Sequence, residues 1–288
     1  MNKLLTIYIP TYNRGDLLWK QIESIFWGLD ETERDLLEVI VSNNGSPKDF
    51  ARGLYPIKYI DHSENIGAEG NYSGAFAQDI GIYFWLLSDD DTLKPGAVKK
   101  VLAYLKDLPI HLQENLIYFP VTLLPQHSEK QGWTQDEFVR FLNFGLGKIS
   151  NVIYSRHYLK HAPVFFDNLF TRFAQLSMIF ESAKDKCVQT YCLENLDYFI
   201  QKQAAPIFTP NGYVYSLYGF VCACRNLKPE LFRELMTGWW AGSAADASNE
   251  WKINIAPTQA LMCFSLLLKH DIICQDQYLV LISKIKGF

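Results

Sequence analysis

The sequence predicts an α/β fold built on a mainly parallel sheet covered by helices. Three observations carry that expectation. Short β-rich apolar runs alternate with amphipathic segments through the first third of the chain. The runs end in loops of turn-forming or polar residues. One of them, Ile82-Tyr83-Phe84-Trp85-Leu86-Leu87-Ser88, runs straight into Asp89-Asp90-Asp91, as a buried strand ending at the carboxyl edge of a sheet would.

The elements follow in order. Leu4-Leu5-Thr6-Ile7-Tyr8-Ile9 is an apolar β run closed by Pro10, and Asp16 is placed to cap a helix with Leu18, Ile22, Ile25, Phe26 and Leu29 on one stripe. Glu38-Val39-Ile40-Val41-Ser42 reads as the second strand, stopped by Asn43-Asn44-Gly45-Ser46-Pro47, and Ile57-Lys58-Tyr59-Ile60 as a shorter third. A weaker helical pattern covers Gly70 to Gln78. After the strand into Asp89, Pro95 is expected at the first position of a helix through Val98, Val101, Leu102 and Leu105. Asn115 to Phe119 and Ile149 to Tyr154 offer short strands, the second followed by a turn capped by Ser155. Thr134-Gln135-Asp136-Glu137 spells a capping box. Beyond residue 200 a Pro-punctuated connection, Ala204 to Gly212, leads to a mainly helical pattern at Pro229 to Met236, Pro257 to Leu268 and Gln277 to Ile285, with a Trp239-Trp240 pair between.

Composition narrows the classes. A chain of 288 residues with 49% hydrophobic content has enough apolar surface for a sizeable core. Its formal net charge of -4, from 27 basic and 31 acidic residues, gives no global attraction to nucleic acid. The six cysteines form no CxxC pair and have no histidines at zinc-ligand spacing, so they are expected to be reduced core residues. The segment Met1 to Leu5 enters a strand pattern without a signal peptide's apolar core, and no apolar run is long enough to span a bilayer. A cytoplasmic protein is expected, with attachment at a membrane surface left open.

In open sheets of this class, ligands bind outside the carboxyl ends of the strands. Three loops fall there: Pro10-Thr11-Tyr12-Asn13-Arg14, Ser42-Asn43-Asn44-Gly45-Ser46, and Ser88 to Thr92. Amides and hydroxyls suit a base and a ribose, and an arginine suits phosphate. Adjacent carboxylates repel unless a cation joins them. Oxygen-only ligands select a hard ion, Mg²⁺ or Mn²⁺, whose shell is commonly completed by substrate phosphate.

Ile9-Pro10-Thr11-Tyr12-Asn13-Arg14, Val39 to Ser46, Asn65-Ile66-Gly67-Ala68-Glu69-Gly70-Asn71 and Ser88-Asp89-Asp90-Asp91 occur in this order, and together they resemble glycosyltransferase family 2. The resemblance covers roughly residues 3 to 110. It implies a GT-A fold, a nucleotide-sugar donor with UDP favoured, a divalent metal, and inverting transfer to a saccharide or lipid-linked acceptor in bacterial surface polysaccharide synthesis. By position, Pro10, Thr11, Tyr12, Arg14, Asn43, Asn44, Asn71, Asp89 and Asp90 would hold the donor, with Asp91 and Asp89 on the metal. Residues 1–205 would form the catalytic domain, and 206–288 a helical extension that covers the acceptor and brings the enzyme to lipid-linked substrates. Asp91→Ala is expected to leave the fold intact, on the premise that a metal-ligand acid is solvated.

The chain departs from the family pattern at three places. Asn43 stands where an acid usually reads the base, and Gly70 where an arginine is common. Phe166-Asp167 fits a family element near the acceptor, but Ala174-Gln175-Leu176 replaces the acidic pair that supplies the base. Asp167 is therefore the expected base, ahead of Glu181, Asp185, His157 and His161. A nucleotidyltransferase or a non-catalytic nucleotide-sugar binder are the competing classes. Pro10 to Gly15 is too poor in glycine for a triphosphate loop, and the GxGxxG of a dinucleotide oxidoreductase is missing.

Overall fold

A computed structural model describes residues 3–46, 54–78, 80–108, 116–118, 134, 136–137, 149–171, 173–185, 190–192, 200–202, 218–239 and 257–285. The segment 204–212, Trp240 and Cys187 lie outside them. The chain divides into two units: residues 1–133, 148–162 and 187–205 form the first, and 134–147, 163–186 and 206–288 the second. The first unit ends at Ala205, and 134–147 and 163–186 group with the C-terminal residues.

The first unit contains a seven-stranded sheet ordered β3-β2-β1-β4-β7-β6-β8. The strands are β1 (Leu5–Thr11), β2 (Leu37–Asn43), β3 (Ile57–Asp61), β4 (Tyr83–Leu86), β6 (Leu116–Tyr118), β7 (Val152–Ser155) and β8 (Thr190–Cys192). Strand β1 pairs in parallel with β2 and β4, β2 with β3, and β6 with β8, while β7 runs antiparallel to β4 and β6. A separate pair joins β5 (Asp91–Leu93) to β9 (Ile200–Lys202). The predicted mainly parallel, helix-covered sheet is thus observed.

The core forms where two periodicities meet. Leu5, Ile7 and Ile9 of β1, Leu37, Val39 and Val41 of β2, and Tyr83, Trp85 and Leu87 at β4 share one sheet face by the period of two. Against them lie Leu18, Ile22, Ile25 and Phe26 of helix α1 (Asp16–Phe26), and Val98, Val101, Leu102 and Leu105 of helix α4 (Ala97–Asp107), both stripes at helical spacing. Helix α2 (Glu31–Leu36) buries no residue and was not expected from periodicity. Its start is fixed by Asp30, which accepts from the Glu33 N–H at 2.9 Å while Glu33 accepts from the Asp30 N–H at 3.0 Å. The weak 70–78 pattern resolves into α3 (Gly67–Ser73) and a 3₁₀ turn, Gly74–Ala77.

Two boundaries differ from expectation. Helix α1 is capped by Gly15, with Asp16 as its first residue and no side-chain cap bond. Pro95 lies in a turn, and α4 starts two residues later because Gly96, at φ 77°, takes the left-handed conformation that ends the turn.

The second unit is helical where described: Ala174–Asp185, residues 218–224, Pro229–Trp239, Pro257–Lys269 and Gln275–Ser283. Phe173 and Phe220 meet edge to face at 5.6 Å, and Gly219 lies so close to the Thr171 carbonyl that a β-carbon would collide with it. The expected capping box is present, Thr134 and Glu137 exchanging bonds of 3.0 and 3.2 Å. Cys222, Cys224 and Cys263 are buried free thiols, as expected. Cys274 is an exception: it is exposed at the start of helix Gln275–Ser283, where its N–H donates to Gln277.

Candidate active site

The order β3-β2-β1-β4 reverses direction at β1, since β2 and β3 extend to one side and β4 lies on the other. A crevice for ligand opens at such a switch, outside the carboxyl ends. The loop Tyr12–Gly15 after β1 and the acids after β4 flank it, and polar side chains tie the two together. The Tyr12 N–H donates to Asp89 Oδ2 at 3.4 Å, and Arg14 Nε donates to Asp89 Oδ1 at 3.1 Å. Arg14 also lies 3.9 Å from Asp90 Oδ2, whose other oxygen accepts from the Ser88 hydroxyl at 2.5 Å.

The cation that joins Asp89 and Asp90 in the structure is therefore an arginine. Burial pushes the Asp89 carboxyl above the ordinary carboxylate range, while Arg14 and the Thr11 hydroxyl pull it back.

Asp91 contradicts the premise of a solvated ligand. Only 7% of it is exposed, and its Oδ2 accepts from the hydroxyl of fully buried Ser150 at 2.7 Å. The same Ser150 oxygen accepts from the Ser88 N–H at 2.9 Å, and its carbonyl accepts from Trp85 Nε1 at 2.8 Å. Gln21, a buried amide on the apolar face of α1, donates to the carbonyls of Ser88 and Asp91, the latter at 3.2 Å. Ser24, one turn along, accepts from the Leu93 N–H at 3.1 Å. The acidic corner is held from beneath by three residues that sequence reasoning passed over. Gln21 carried a signal: a polar residue three positions after Leu18 sits within the buried stripe.

The amides assigned to the donor also have structural partners. Asn44 Nδ2 donates to Asn65 and to the Gly67 carbonyl at 2.9 and 3.2 Å, and its Oδ1 accepts from the Ile66 N–H at 2.8 Å. Asn71 exchanges bonds with the Ser42 hydroxyl and carbonyl at 2.5 and 3.1 Å. Asn43 holds the turn to Ser46, and the Ser46 hydroxyl accepts from the Asn13 N–H at 2.7 Å, which links the β1 and β2 loops. Pro10 and Thr11 are buried at the end of β1. Tyr12, 46% exposed, Arg14 and Asp90 face solvent at the rim of the crevice.

The residues weighed for the base belong to both units, His157 and His161 to the first and Asp167 and Glu181 to the second. Asp167 is exposed at the end of helix Ala162–Asp167, and Glu181 is half-buried on helix Ala174–Asp185. Ala174 and Gln175, which replace the family's acidic pair, are buried. His157 is exposed in the turn whose N–H donates to the Ser155 hydroxyl at 3.1 Å, and His161 is half-buried beside Tyr158.

Residues 6–161 match the family model described as glycosyl transferase family 2, more than half of the chain. A GalNAc(5)-diNAcBac-PP-undecaprenol β-1,3-glucosyltransferase of Campylobacter jejuni is 25% identical over 159 residues, 52% of this chain and 50% of that protein. An abequosyltransferase of Salmonella typhimurium is 30% identical over 110 residues, 35% of this chain and 32% of that one. The chain thus matches half or less of the length of either relative. Among solved structures, S. aureus TarS 1–349 is similar over 97% of this chain and 88% of its own, with a TM-score of 0.64 and 14% identity. The same protein in complex with UDP gives 0.62 and 15%. At that identity the likeness speaks for the fold alone, which is GT-A-like. The family model spans the two loops at the switch point, the acidic corner and Ser150 beneath it, and the chain belongs to glycosyl transferase family 2.

Proposed function

We propose that this protein moves a sugar from a nucleotide-diphosphate donor, a UDP-sugar first among them, to a saccharide or lipid-linked saccharide acceptor, with inversion at the anomeric carbon. The observation that carries the reading is the corner at the switch point, where Arg14 pairs with Asp89 and Asp90 beside the exposed Tyr12 ring, and Asp91 follows on a buried hydrogen bond to Ser150. The named activity of the Campylobacter relative, on an undecaprenol-linked glycan, supports the acceptor class and a place in bacterial surface polysaccharide synthesis. The UDP complex of the similarly folded TarS supports the donor class.

Roles follow from chemistry. Tyr12 offers a ring face to the base, and Arg14 a guanidinium to the diphosphate. The fit of a divalent ion rests on the donor set. The carboxylates of Asp89, Asp90 and Asp91 offer only hard oxygens, the donor type such an ion takes, while no three acids, histidines or cysteines among the described residues lie together as a formed metal site. Asp91 and Asp89 would hold Mn²⁺ or Mg²⁺, which when bound supplies Lewis-acid stabilisation of the departing diphosphate. Asp167, exposed and acidic, is the proposed acceptor of the incoming hydroxyl's proton, a role contributing roughly 10²–10⁴-fold. Among the described residues no helix is long and apolar enough to cross a membrane. Reaching a lipid-linked acceptor then calls for a cytoplasmic protein attached peripherally.

The test is a panel of UDP-, GDP-, CMP- and dTDP-sugars, each with and without manganese, read by thermal shift and by donor hydrolysis. A ligand bound only by the folded form raises the melting temperature. UDP-sugars should give the largest shift, increased by manganese, together with hydrolysis. No shift with any donor would sink the reading.

A further inference from the structure

The acidic corner is one tight turn. The Asp91 N–H closes it on the Ser88 carbonyl at 3.2 Å, with Asp89 and Asp90 as the two central residues. The side chains leave it in different directions: Asp89 meets Tyr12 and Arg14 of the loop after β1, Asp90 meets the Ser88 hydroxyl, and Asp91 meets Ser150. The backbone of these four residues therefore decides where each carboxylate points.

Gln21 staples that backbone from inside α1. It is fully buried, and the two hydrogens of its Nε2 go to the carbonyls of Ser88 and Asp91, the first and last residues of the turn, the second at 3.2 Å. The Ser24 hydroxyl donates to the Gln21 carbonyl at 2.6 Å and accepts from the Leu93 N–H at 3.1 Å, which fixes the chain just past the turn. Stability gives little reason for the amide. The Ser88 carbonyl already has the Asp91 N–H, and Gln21 Oε1 is buried without a hydrogen-bond partner among the described residues. An apolar side chain in this stripe would avoid that unsatisfied acceptor.

Resting on the reading of a nucleotide-diphosphate donor, we infer that Gln21 is a positioning residue for donor binding. It touches no substrate. It holds the turn in the conformation that presents Asp90 and Asp89 to the crevice and, through Asp89, aims the Arg14 guanidinium. Without the staple the turn relaxes, and these groups lose their aim together. A misplacement of about 1 Å in such groups can cost about 100-fold.

Gln21→Met tests the assignment, because it keeps the length of the side chain and removes both donors. The UDP Kd by isothermal titration with manganese, and the KM for the donor, should each rise about tenfold or more. Neither quantity depends on the fraction of molecules that is folded. Ile22→Ala, the next residue of the same helix, is the control: it loses packing and keeps the polar bonds of the corner, so its Kd and KM should match the parent's even at a lower melting temperature. Reduced activity of Gln21→Met with Kd and KM unchanged, the signature of fewer folded molecules, overturns the inference. An equal rise in both variants overturns it too. In either case UDP binding by the parent leaves the donor site standing, whereas a parent that binds no nucleotide removes the donor reading along with the inference.

Discussion

Ser150 uses one hydroxyl twice, accepting from the Ser88 N–H and donating to Asp91, in a place with no water to replace either bond. Removing one partner of a buried hydrogen bond costs about 1–3 kcal/mol, because the other is left unsatisfied. Ser150→Ala and Asp91→Ala should each destabilise the protein by that amount in urea titration, and Asp91→Ala should also abolish metal-dependent transfer. A second residue-scale expectation concerns Asp89. Burial raises its carboxyl on folding, so the folded chain takes up a proton between the ordinary and the raised value, and stability falls as pH rises through that window. Asp89→Asn has no charge to desolvate. Relative to the parent it should gain stability as the pH rises above the ordinary carboxylate value of about 4, although it forgoes the Arg14 pair once the carboxyl is charged. Urea midpoints of both proteins across that range decide it, and a relative loss with rising pH would reverse the assignment.

At the scale of elements, α1 has two functions, and its sequence shows only one. Leu18, Ile22, Ile25 and Phe26 seal the sheet, and their spacing is visible without a structure. Ile22 is fully buried, and Ile22→Ala should cost about 2–5 kcal/mol in the same urea assay, a loss of packing that spares the polar bonds of the corner. Gln21 and Ser24, by contrast, act only once the turn after β4 has folded against them. The strands β1 to β4 were legible because alternation and helical stripes repeat over several residues. The strands β5 and β9 span three residues each, too few for any period to show. Helix α2 lacked an apolar stripe, and Asp30-Glu31-Thr32-Glu33 was its only local signal. The ends of α1 and α4 shifted because glycine conformation, not the nearby Asp16 or Pro95, sets the caps.

For the molecule as a whole, the order of motifs along the chain identified the fold and the corner. What holds the corner could not be read, since Asp91 and Ser150 are 59 positions apart and meet only in the folded sheet. The departures from family pattern at 43 and at 174–175 read as lost function in the sequence. In the structure, the first is an amide consumed by its own turn, and the second is a buried face of a helix.

The interleaving of the two units bears on how the gene can be dissected. A fragment ending at residue 205 would carry helix Ala174–Asp185 without the 218–224 segment that belongs to the same unit, leaving Leu176, Met178, Ile179 and Phe180 short of their native cover. Such a piece would be sticky and open to proteases, whereas the intact polypeptide returns to each unit to complete it.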